Sequence, residues 1–160
     1  MACVTASGRR FPGRRLSLGG ARMIVMTDRF VLINPEGLHP TSGYAHLTIA
    51  EAARTAHLAG LCPLDADEQV VGPGDLGAQI DQVVANALAI LSAAGATPQD
   101  VARSVIYVVS ADSTVLASAW DRLYASPLAP AFATASTLLG VTALGYTGQL
   151  IEIDLTAALP

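Results

Sequence analysis

Lysine is absent from this chain. Its absence excludes Schiff-base chemistry on an ε-amine and a phosphate-loop lysine. All nine basic residues are Arg, and five of them (Arg9, Arg10, Arg14, Arg15, Arg22) precede residue 27 in a stretch without an acid. Residues 27–160 therefore hold four Arg against 13 acids, a net of −9. Such an acidic body does not suit a phosphate backbone, so nucleic acid is not an expected partner. Cysteine is scarce: Cys3 and Cys62 form neither a disulfide framework nor a C-x-x-C metal motif, which fits a reducing cytoplasm. His39, His46 and His57 show no i,i+4 pairing and no matched acids, so no metal site is expected. No uninterrupted run of 18 apolar residues occurs, and no membrane span is expected.

What is present is a greasy, lightly charged chain. Hydrophobic residues make up 52% and charged residues 14% of 160. That length holds one domain with a real core and is too short for two. So little charge on a small domain leaves apolar surface that an oligomer would cover. Residues 1–26 are Gly-, Ser- and Arg-rich with no apolar h-region, so they are not a secretory signal. They read as a dispensable extension, either a disordered tail or translation begun upstream of Met23 or Met26; an Arg-rich arm or transit-like peptide is the alternative. The domain is expected over 27–160.

A short apolar run at 29–34 predicts a first strand. Segments 44–49 and 55–62 follow and read as an antiparallel hairpin. Residues 63–75, rich in Asp, Gly and Pro, predict a loop. Asp75 then opens the clearest helix: Leu76, Ile80, Val83, Ala87, Leu91 and Ala94 recur at helical spacing, and Gly95 stops it. Residues 101–109 are β-branched and strand-like. Ser110, Asp112 and Ser113 offer caps for a second helix over 114–124, with Leu116, Trp120 and Leu123 on one face. Pro127 and Pro130 end it. Segments 134–144 and 149–156 close the chain as two strands joined through Gly145–Gly148. In the last one Leu150, Glu152, Asp154 and Thr156 alternate with Ile151, Ile153 and Leu155, a greasy face opposite an acidic one. The order β-β-β-α-β-α-β-β gives an α+β layer, one six-stranded, mainly antiparallel sheet with two helices on one face. Two helices cannot bury both faces, and a second subunit is expected on the other.

This order resembles the RidA (YjgF/YER057c-like) family. The words that carry it are Gly60-Leu61-Cys62-Pro63-Leu64-Asp65, Gly72-Pro73-Gly74-Asp75 opening a helix that contains Gln79 and Asn86, Ala94-Gly95-Ala96, Val105-Ile106-Tyr107-Val108 and Leu150-Ile151-Glu152-Ile153-Asp154. The resemblance spans about residues 28–158 and rests on order and spacing rather than any one word. It implies a chorismate-mutase-like homotrimer with three small-molecule clefts between subunits, and hydrolysis of enamines and imines such as 2-aminoacrylate to keto acids and ammonia. It implies no metal or organic cofactor. Some members are described as ribonucleases or translation inhibitors; the acidic body and the lack of a His pair weigh against that here.

The family's cleft clamps the substrate carboxylate with an Arg, and that position falls on Ser136. A hydroxyl cannot match a planar guanidinium fork. Other family positions differ as well: a Gln after Gly60 is Leu61, a polar helix residue falls near Ala117, and a Cys two past the Arg is Leu138. Tyr44, Gly60 and Glu152 are retained, and Glu152 is the acid the family uses to position water. Each also has a plain structural reading. Glu152 reads equally as a solvated strand carboxylate, Tyr44 as a packing aromatic, Ser136 as a hydroxyl bonded to backbone, Trp120 as a core or interface anchor, and Cys62 as an inert thiol. Two functions stay open: a hydrolase of imine-type metabolites with altered substrate, using Glu152 with Tyr44, Gly60, Leu61, Ala117, Ser136 and Leu138 around the ligand, or a non-catalytic metabolite-binding or protein-interaction module on the same fold.

Overall fold

The computed structural model describes residues 21–26, 30–52 and 54–159. Its elements are β1 (Ala21–Met26), β2 (Phe30–Pro35), β3 (Leu47–Ala50), β4 (Arg54–His57), α1 (Leu76–Ala93), β5 (Val101–Val109), α2 (Ser113–Tyr124), β6 (Ala135–Val141) and β7 (Ile151–Leu159).

α1 begins where expected because Asp75 caps it, accepting from the Ala78 amide at 3.0 Å. It ends on Gly95, whose φ of +69° suits a left-handed cap. The Gly95 and Ala96 amides then return to Ser92 and Leu91, closing a Schellman turn. By length and composition α1 is apolar enough to cross a membrane. In this fold it is instead the helix that covers a sheet, burying Ile80, Val83, Val84, Ala87 and Leu91. Its polar Gln79, Gln82 and Asn86 reach loop backbone at Gly148, Leu64 and Cys62. α2 is capped in the same way, with Asp112 accepting from the Thr114 amide at 2.8 Å.

The sheet they cover has the order β4-β7-β5-β6, with β5 and β6 parallel and the other pairs antiparallel. Ile151, Ile153 and Leu155 of β7 and Ile106 and Val108 of β5 point into one core with both helices. The opposite face of the sheet carries Glu152 and Asp154 beside Tyr107, with Leu139 43% exposed. Expectation and structure agree on two helices covering one face of a mainly antiparallel sheet.

Several details differ. The described strands number seven in two sheets, not six in one; β1-β2-β3 form the second. The two sheets meet where the Ala45 amide donates to the Thr134 carbonyl and Thr48 Oγ1 accepts from the Ala135 amide. β3 and β4 do not form a hairpin: β3 pairs with β2 and β4 with β7. The reason is that β7 runs on to Leu159, beyond the expected end at 156, and its buried Ala157 and Ala158 extend the ladder that β4 joins. β6 and β7, although consecutive, are separated by β5. The expected extension 1–26 also overlaps the fold. β1 pairs with β2 from Met23↔Asn34 to Met26↔Val31, so a boundary at 26/27 cuts a hydrogen-bonded ribbon. Residues 1–20, and Arg29 at the expected start of the first strand, lie outside the described residues.

Candidate functional site

Four of the expected site residues come together. Tyr44, Ala117, Ser136 and Leu138 line one open pocket of about 620 Å³ between α2 and β6. The parallel register explains the β6 pair. Ser136 and Leu138 align with Ser104 and Ile106, which face the helices, whereas Thr137 and Leu139 align with Val105 and Tyr107 on the other face. Ser136 Oγ lies 2.7 Å from the oxygen of buried Ser104 and also reaches the carbonyls of Phe132 and Thr134. It is thus both a backbone-bonded hydroxyl and a pocket wall. Tyr44 OH is 3.0 Å from His39 Nε2.

Gly60 and Glu152 lie elsewhere. The 60–62 segment runs beside β7, with Leu61 and Ile153 exchanging two backbone hydrogen bonds of 2.9 and 3.2 Å. Leu61 is 4% exposed and belongs to the apolar core, so its side chain does not line the pocket. The alternation of β7 turns Glu152 outward, against Gly60. A Cβ on Gly60 would collide with the carboxylate, lying 2.9 Å from its Cδ. Glycine at this position is therefore what allows the acid to sit there. Glu152 Oε2 accepts from Gln149 Nε2 at 3.0 Å and from the Cys62 thiol at 3.5 Å. Burial, and then the Glu152 charge and hydrogen bond, push the Cys62 thiol above its ordinary pKa. Cys62 is therefore a protonated donor to the acid rather than a nucleophile.

Several residues stand at the site that the sequence does not place there. Gln149, 3% exposed, orients Glu152 while its own oxygen accepts from the Tyr146 amide. Trp120, read as an anchor, stands on the pocket wall with Asp121 and Ser113. Their spacing holds the signal: 113, 117 and 120–121 share the helix face that carries Ala117. No His/Cys/Asp/Glu group able to hold a metal ion occurs among the described residues.

Residues 35–159 match the family model described as Endoribonuclease L-PSP. Among solved structures, YyfB of the conserved Rid protein family from Yersinia pestis is 37% identical, with a TM-score of 0.73, over 82% of this chain and 99% of that one. A member of the YjgF/YER057c/UK114 family from Mycobacterium tuberculosis is 24% identical, with a TM-score of 0.53, over 74% and 88% of the two chains. RidA from the Antarctic bacterium Psychrobacter sp. shares the fold at 20% identity and a TM-score of 0.58, over 76% and 92%. No curated protein matches the chain.

Proposed function

The chain belongs to the Rid (YjgF/YER057c/UK114) family, and on that premise we propose that it hydrolyses imine- or enamine-type metabolites in a cleft closed by a second copy of itself within a trimer. One observation carries this reading. The residues expected around a ligand fall into two separate half-sites, a pocket at Tyr44, Ala117, Ser136 and Leu138 and an oriented acid at Gly60 and Glu152. A second copy whose open sheet face lies against the β6 edge, beside the pocket, would bring one half of each kind together.

The chemistry follows from the acid. Glu152, fixed by Gln149 and Cys62, holds a water and takes one of its protons as the oxygen bonds to the imine carbon. That proton passes to the nitrogen. The C–N bond then breaks as the new hydroxyl gives its proton to the nitrogen and becomes a carbonyl, releasing ammonia or an amine. Nothing oxidises or reduces, and one water is consumed. Ser136 bonds backbone and Ser104 and supplies no fork for a carboxylate. Two charge-assisted hydrogen bonds of ~1.5–3 kcal/mol each are missing, which lowers affinity for a carboxylate substrate on the order of a hundredfold or more.

The test is a coupled assay with freshly generated 2-aminoacrylate beside an imine lacking a carboxylate. Wild type should turn over the second faster, Glu152→Gln should lose both, and Ser136→Arg should gain on 2-aminoacrylate. Robust wild-type turnover of 2-aminoacrylate would refute the role given to Ser136. No turnover by any variant would leave a binding module instead.

A further inference from the structure

The pocket between α2 and β6 has a charge and a surface of its own. Asp121 is the one acidic side chain on its described lining, and no Arg or His stands beside it there. The Asp121 carboxylate has no hydrogen bond or ion pair among the described residues. Its chain neighbour Arg122 is turned away, held by Asp81 of α1 through Nε at 3.0 Å and Nη2 at 2.6 Å. Arg103 lies on the opposite face of the sheet, in register with Ala135. Next to Asp121 stand two aromatic rings, Trp120 and Tyr44, with centroids 6.3 Å apart and planes at 88°. Tyr124 stacks behind Trp120 at 6.0 Å and holds that ring in place. Leu116, Ala117 and Leu138 complete an apolar floor.

An unpaired carboxylate beside two aromatic rings, in a body of net charge −9 over residues 27–160, attracts positive charge and repels carboxylates. We infer that this pocket selects a small organic cation with an apolar body and no carboxylate, such as an ammonium or a protonated imine. The inference deepens the function proposed above and rests on the same pocket. A protonated imine is also the more electrophilic form, so the charge that the pocket recognises is the charge that hydrolysis uses. One water adds to the iminium carbon, the C–N bond breaks, and the products are a neutral ketone or aldehyde and a protonated amine. The positive charge is conserved and stays on nitrogen.

Trp120 is the chain's single tryptophan, so its fluorescence reports on the pocket directly. The full-length protein is titrated at neutral pH with benzylammonium, benzyl alcohol and phenylacetate, which share a ring and differ in charge. Benzylammonium should bind about tenfold tighter than benzyl alcohol or more, about 1.4 kcal/mol, with phenylacetate weakest. Asp121→Asn, at an exposed position, should abolish most of that preference while leaving the melting temperature unchanged. Equal or tighter binding of phenylacetate or benzyl alcohol would overturn the inference, as would a preference that survives Asp121→Asn. Turnover of imines without any cation preference would overturn the inference and leave the hydrolase reading standing. Cation preference without turnover would support the inference and remove the hydrolase reading.

Discussion

Replacing Gly60 with Ala adds one methyl group at the point where the fold holds its acid. The new Cβ would lie 2.9 Å from Cδ of Glu152 and 3.3 Å from its Cγ, and closer still to Oε1. Carbon atoms in good contact stand about 3.5–4.0 Å apart, so the carboxylate must swing away. It then leaves Gln149 Nε2 and the Cys62 thiol. Gln149 is buried and retains only the Ile151 carbonyl as an acceptor for that amide. Hydrogen bonds to charged groups contribute ~1.5–3 kcal/mol, and partial exposure of Glu152 lowers that to about 1–2 kcal/mol. For a domain of this size the loss corresponds to a fall in Tm of roughly 3–8 °C.

The backbone does not oppose the change, since Gly60 is not among the residues with positive φ. An Ala there should by itself stabilise by ~0.4–1 kcal/mol through the unfolded chain. The sign of the effect therefore depends on Glu152. In wild type Gly60→Ala should destabilise and lower hydrolysis at least tenfold; in a Glu152→Ala background it should be neutral or stabilising. Thermal melts of the four proteins in this double-mutant cycle measure the coupling. Equal cost in both backgrounds, or an unchanged Tm in the single variant, would refute the reasoning.

Three further outcomes follow from the same geometry. Ser136→Ala should cost ~1–2 kcal/mol in denaturant melts, because Ser104 Oγ, in a residue 1% exposed, loses its partner; Ser104→Ala with Ser136→Ala should cost less than the sum. Alkylation of Cys62, followed by peptide mapping, should titrate with a midpoint above the ordinary thiol value of ~8.5, and Glu152→Gln should move it down, since burial and then Glu152 raise it. The Arg122 hydrogen bond holds Asp81 below the usual carboxylate range, so the pair adds stability above about pH 4 and loses it as pH falls further; Asp81→Asn should lower Tm slightly at neutral pH and make no difference in strong acid.

Local signals are strongest wherever one element satisfies its own hydrogen bonds. α1 and α2 are legible because Asp75, Asp112 and Gly95 end them by local chemistry, and β5 because a β-branched run fills it from Val101 to Val109. Pairing is less legible. The short polar strand β4, Arg-Thr-Ala-His, has no apolar face to declare its partner, and nothing local says that it joins β7 rather than β3. The second sheet is divided wrongly for a related reason: the 23–26 run merges with an Arg-rich stretch that reads as a tail. For the site, alternation alone places Glu152 outward, whereas Ser136 facing the helices requires the register of β6 against β5. Trp120 and Asp121 do not declare themselves as pocket residues because their partner wall, Tyr44, is more than 70 residues away.

The separation of the half-sites leads to the last test. If one chain held a complete site, two defective variants could never help one another. In a trimer whose clefts each take the pocket of one copy and the acid of the next, they could. Ala117→Phe should fill the pocket from an exposed helix position, and Glu152→Gln should remove the base, so each variant alone should be inactive. After the two are mixed, unfolded and refolded together in equal amounts, about a quarter of the clefts should pair an intact pocket with an intact acid, recovering roughly that share of wild-type turnover. Light scattering on the same sample should give three chains per particle. Trimers without recovered turnover would place both halves of the site within one chain and refute the shared cleft. A monomer that keeps wild-type activity would refute it more directly, since the acid beside Gly60 and the pocket under Trp120 would then have to act without a second copy between them.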